Sequence, residues 1–145
     1  MFNITKEDIV KYVEAGCKFV GDTAIASIGA SLDRVSEEAF AKAVEIGIRN
    51  TIAALYDANV DDEDILRVVY EHWGIGKDEA MDRLVFEKYQ ATMRSLRQYL
   101  KLQGFTEERI QSFFIESRAP SRIRHNSDLW KLRKHPQKLF EAVRK

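Results

Sequence analysis

Two stretches, LYDANVDDEDILRVV (55–69) and LKLQGFTEERIQSFF (100–114), carry one pattern at an offset of 45 residues. Leu55 corresponds to Leu100, Asn59 to Gly104, Val60 to Phe105, and Asp61 to Thr106. Ile65 corresponds to Ile110, and Val68-Val69 to Phe113-Phe114. Gly and Asn tolerate the left-handed backbone that ends a helix. The apolar residue after them packs back on the helix just ended. Asp or Thr then accepts a hydrogen bond from an unpaired N–H of the next helix. Apolar residues three and four apart place that helix on a core. The stretch therefore reads helix, stop, cap, helix, and it occurs twice. ITKEDIV at 4–10 echoes its centre.

Working outward, the same signals recur. Thr5 caps a first helix, with Ile9, Val13, Gly16/Cys17 and Val20 at helical spacing. Gly21-Asp22 suggests a break. Ser36 is expected to open a helix, with Glu37 and Glu38 in its first turn and Phe40, Val44, Ile48, Ile52 and Leu55 on one stripe as far as Asp57. Asp61 opens a short helix over 62–72, and GIG (74–76) ends it. A long helix is predicted from Lys77 to Leu102, with the stripe Met81, Leu84, Val85, Tyr89, Met93, Leu96 and Leu100. Thr106 caps another to Glu116. No alternating run is long enough for a strand. The expected fold is all-α, a small helical bundle of about five to six helices. An acidic helical body over 1–116 would be followed by a basic C-terminal helical segment over 117–145.

The charges support that division. The chain is neutral, with 23 Lys+Arg against 23 Asp+Glu. Residues 1–116 hold 14 basic and 21 acidic residues, a net of −7, and residues 117–145 hold 9 and 2, a net of +7. Such asymmetry marks either an interaction segment or two parts that attract one another. One cysteine, Cys17, excludes an intrachain disulfide and suits a reducing compartment. The start has no basic, apolar signal peptide. The longest uncharged run, Thr23 to Leu32, is ten residues, too short to span a bilayer. The expectation is a cytoplasmic protein with no membrane partner.

Several chemistries are weighed and set aside. Gly104, Phe105, Ile110 and Phe113 resemble a helix-turn-helix, but the helix that would enter a groove begins TEER in one copy and DDED in the other. Those carboxylates would face phosphates. YLKLQGFTEERIQ (99–111) also resembles, locally, the three-helix modules of RecX recombination regulators, through a pattern too common to assign a family. DANVDDEDILRV (57–68) starts like a calcium loop, with Asp57, Asn59 and Asp61 at alternate positions. It has Asp62 where the loop needs Gly and Val68 where it needs Glu. GIGKD lacks the residues of a phosphate loop. His72, His125 and His135 show no metal-site spacing. Glu37-Glu38 and Asp78-Glu79 are helix neighbours that point apart. The sequence thus offers no catalytic, cofactor-binding or metal-binding set, and a non-catalytic protein is expected.

The remaining feature is SRIRHNSDLWKLRKHPQK (121–138). Leu129, Leu132, Pro136, Leu139 and Val143 recur at spacings of three and four, one apolar face. Arg118, Arg122 and Arg124 are expected in a polar loop upstream. Lys131, Arg133, Lys134 and Lys138 lie off the apolar face, and Trp130 beside it either packs or stacks on a base. These eight residues are the expected nucleic-acid-binding set. The preferred function is a binding or regulatory protein that engages nucleic acid or a nucleoprotein complex through this segment. The alternative is a protein–protein inhibitor or regulator, antitoxin-like or phage counter-defence-like, whose acidic body meets a basic protein partner. The sequence leaves oligomeric state and partner identity open.

Overall fold

A computed structural model describes the backbone of residues 25–145, with side chains from Ser36 onward. The helix expected after Thr5 and the apolar setting expected for Cys17 lie outside the described residues. Seven α-helices and one 3-10 turn follow, with no strand among the described residues: α1 (Ile25–Asp57), α2 (Asp62–Trp73), α3 (Lys77–Leu102), α4 (Glu107–Ser117), α5 (Ala119–His125), α6 (Ser127–Trp130), the turn Lys131–Lys134, and α7 (Pro136–Arg144). The all-α expectation holds. The helices are more numerous than expected because the basic segment folds as several short ones.

The two repeated junctions close alike. Asn59 and Gly104 both have positive φ, 58° and 82°. The Val60 N–H donates to the Leu55 carbonyl and the Asn59 N–H to that of Tyr56, each at 3.0 Å. The Phe105 N–H donates to Leu100 and the Gly104 N–H to Lys101, again at 3.0 Å. This pair of bonds satisfies carbonyls that the helix end would leave unpaired. Thr106 then caps α4, its side chain accepting from the Arg109 N–H. Asp61 has the extended backbone of a cap but makes no side-chain cap bond. Ile65 and Ile110 follow, both fully buried. Gly74 ends α2 with φ 68° and donates its N–H to the Tyr70 carbonyl.

Ser36 does not open a helix. α1 runs through it without interruption. The preceding IASIGASLDRV holds good helix formers and no proline, so the helix already exists where the cap was expected.

The chain forms two compact units, Met1–Asn50 and Thr51–Lys145. In the second, α3 is the axis. It packs against α2, α4, α5, α6, the 3-10 turn and α7. Its buried residues include Ala80, Leu84, Ala91, Leu96 and Leu100, while Val85, expected inside, is exposed. A helix of this length turns its inner face gradually, so one straight stripe does not follow it. The turning also brings Glu87 inside, where its carboxylate accepts from Arg94 at 2.5 Å.

The basic segment is part of this core. Leu96, Leu100, Ile110 and Phe114 from α3 and α4 meet Ala119, Ile123, Leu129, Leu139 and Val143 in one cluster. The apolar face expected for the segment is therefore real and docked. Arg118, Arg122 and Arg124 do not sit in a polar loop. Ala119–His125 is helical, started by Pro120, whose fixed φ suits a first turn, and anchored by buried Ala119 and Ile123. Asn126 caps α6, its Oδ1 accepting from the Asp128 N–H at 3.0 Å. Pro136 begins α7 in the same way that Pro120 begins α5.

Candidate nucleic-acid interface

The eight expected residues divide by what they touch. Arg133 is built into the fold. Its guanidinium donates to the Tyr56 carbonyl at 2.7 Å and to Asp57 Oδ1 and Asn59 Oδ1 at 3.3 Å each. It also lies 4.0 Å from the Tyr56 ring centroid, and its side chain is only 12% exposed. The Arg133 carbonyl in turn accepts from the Ser95 hydroxyl at 2.5 Å. Two of the three oxygen-bearing side chains that made 57–68 look like the start of a calcium loop, Asp57 and Asn59, thus meet a guanidinium. A cation at a helix C-terminus is favoured both by the free carbonyls and by the helix dipole. Arg133 is unsuited to hold a phosphate.

Trp130 is also turned inward. Its indole N–H donates to the Ile123 carbonyl at 2.7 Å, and the ring packs on the core cluster. Arg122 donates to the Val143 carbonyl at 2.8 Å, which ties α5 to the last turn of α7. The rest of its side chain is exposed. Lys131 pairs with Asp128 at 2.8 Å across three residues of exposed surface. That contact holds the Asp128 carboxyl below its usual range. An exposed pair of this kind is weak and screened by solvent, so Lys131 stays available to another anion.

Arg118, Arg124, Lys134 and Lys138 are exposed and make no ion pair with another described residue. They stand on the outer side of the elements whose inner side is the core. Arg118 occupies the α4–α5 corner with φ 52°, a left-handed position that costs a non-glycine residue about 1 kcal/mol. One turn on, Arg122 reaches the end of α7, where Arg144 and Lys145 follow Val143 directly. Its bond to the Val143 carbonyl brings Arg122 to the end of the chain that carries Arg144 and Lys145, two bases outside the eight expected residues. Along α7 the exposed positions Gln137, Lys138, Glu141, Arg144 and Lys145 form one continuous stripe. Its single acid, Glu141, accepts from Gln137.

Several of the body's described acids meet bases of the body. Arg67 bridges Asp64 and Glu71, Lys77 meets Glu63, Arg83 meets Glu79, and Lys88 meets Asp62 at 2.5 Å. Glu107 takes both Lys101 and Arg97. Lys101, then Arg97, holds its carboxyl below the usual glutamate range. Among the described residues, Arg133 with Asp57 is the one ion pair joining the basic segment to the rest of the chain. No group of three metal-ligating side chains occurs among the described residues, and no described helix is long and apolar enough to cross a membrane. No protein-family model, curated protein or solved structure matches this chain.

Proposed function

We propose that this is a non-catalytic binding protein that engages nucleic acid, or a nucleoprotein complex, through the outer face of residues 118–145. Arg118, Arg124, Lys134 and Lys138 are the principal phosphate contacts, with Arg122, Lys131, Arg144 and Lys145 at the margin. Arg133 and Trp130 hold the face in place from beneath and touch no ligand. The observation carrying this reading is the pattern of ion pairing. If the basic segment existed to neutralise the body, its bases would pair with the body's acids. Among the described residues one does, and that one is Arg133. The others remain at the surface on a segment of net charge +7. A predominantly positive surface on a folded scaffold attracts phosphate backbones and speeds encounter with them.

The test is filter binding of the intact protein to a mixed-sequence duplex across a salt series. With about four phosphates neutralised, log K should fall against log salt with a slope near −3.6. Sequences should bind alike, because phosphate contacts carry no base information. Absence of binding at low salt would end the nucleic-acid reading and favour a protein partner.

A further inference from the structure

The nature of the exposed groups goes one step further, resting on the nucleic-acid reading just given. We infer that the ligand is double-stranded nucleic acid held by its phosphates, and that single strands are second-rate ligands. Surfaces that prefer single strands combine bases with aromatic platforms on which successive nucleobases stack. Segment 118–145 has one Trp and one Phe, and both are partly buried against the core. Trp130 spends its indole N–H on the Ile123 carbonyl. Phe140 packs against Tyr99 and Phe113, with ring centroids at 5.9 and 5.3 Å. What faces outward is Arg, Lys, His, Ser, Asn and Gln, with the two acids Asp128 and Glu141. The strongly exposed aromatic residues that the structure describes, Tyr70 and Phe86, belong to α2 and α3 and lie outside the segment. A mainly cationic surface with no exposed Phe, Tyr or Trp responds chiefly to charge density, which is highest on a duplex. It gains nothing from unstacked bases.

The experiment compares three probes with the intact protein: a duplex, one of its strands, and that strand with abasic sites through its central part. The duplex should bind most tightly. For the same four contacts, its salt slope should be about −3.6 and that of the single strand about −2.8. Removing bases should leave single-strand affinity unchanged. A stacked base contributes roughly tenfold or more, so even one would be seen. Tryptophan emission gives an independent readout. Both tryptophans have their N–H bonded within the protein, Trp130 to Ile123 and Trp73 to Thr51, so saturation with oligonucleotide should leave emission unquenched. Tighter binding to the single strand, loss of affinity on base removal, or quenching on binding would each overturn the inference while leaving nucleic-acid binding intact. Failure of all three probes to bind would overturn the underlying reading and the inference with it.

Discussion

The Arg133 guanidinium donates to the Tyr56 carbonyl at 2.7 Å and lies 4.0 Å from the centroid of the same residue's ring. One side chain thereby closes the end of α1 and fixes the basic segment to it across 77 positions of sequence. Lys88 stands near the same ring, 5.8 Å from its centroid, and pairs with Asp62. The junction between α1 and α2 is thus held by cations from the 3-10 turn and from α3.

Arg133→Ala should lower the unfolding free energy by about 2 kcal/mol. It removes charge-assisted bonds and leaves the Tyr56 carbonyl short of a partner. Arg133→Lys should recover only part of this, because an ammonium cannot fork between three acceptors or lie flat on the ring. Asp57→Ala removes an exposed partner and should cost under about 1 kcal/mol. Urea denaturation of the three variants orders them.

The two junctions predict parallel responses. Gly104→Ala should cost about 1 kcal/mol from the left-handed backbone alone, since an added Cβ there meets nothing within 4 Å. Asn59 already carries a Cβ in that conformation, so Asn59→Ala should cost about 1 kcal/mol chiefly through loss of the Oδ1 that accepts from Arg133. A Gly104→Ala variant as stable as the parent would contradict the assigned backbone.

These junctions were legible in the sequence because their determinants are local. A residue tolerant of positive φ, an apolar neighbour and a cap define the turn without help from distant parts. The bounds of α3 and the inward face of the basic segment were legible for the same reason. Two features were not. Ser36 has a cap's side chain, but whether a cap is used depends on whether the preceding residues are already helical. Arg133 is chemically like Lys134 beside it, and only tertiary packing decides which of them meets the end of α1. The oxygen-rich run at 57–61 fails as a calcium loop, and nothing local in it shows that one of the nine bases of 117–145 meets it.

Integration of the segment into the core predicts large losses on truncation. Leu139→Ala should cost about 2–5 kcal/mol, since Leu139 is fully buried in the cluster. Deleting 117–145 would uncover Leu96, Leu100, Ile110 and Phe114 together. Thermal unfolding followed by circular dichroism should then lose its cooperative transition. A sharp transition in the truncated protein would show that the segment is an appendage.

Glu107 should titrate below the ordinary glutamate range, and replacing Lys101 and Arg97 by Gln should return it upward. A depressed carboxylate contributes stability above its unfolded-state pKa and loses it as pH falls through the folded value. Protonation near the acid end therefore releases the α3–α4 clamp. The pair is exposed, so the effect should be slight and fade in high salt. Carboxyl carbon shifts across a pH series check both statements.

Arg118→Gly separates backbone from charge. It relieves a left-handed non-glycine residue, so stability should stay at or above the parent's by up to about 1 kcal/mol. Duplex affinity should fall and the salt slope should become shallower by about 0.9. Unchanged affinity would remove Arg118 from the interface.

The most direct measurement pairs stability and duplex binding in two variants of the full chain, the triple replacement Arg124→Ala, Lys134→Ala, Lys138→Ala and the single replacement Arg133→Ala. The triple variant should unfold within about 0.5 kcal/mol of the parent, because these are exposed positions. It should lose up to about 2.7 from its salt slope, three contacts at about 0.9 each. Arg133→Ala should be clearly less stable, yet bind the duplex with the parent's slope at temperatures where it remains folded. The reverse pattern, with binding lost on replacing Arg133 and kept in the triple variant, would contradict the division between the bases that build this face and the bases it presents.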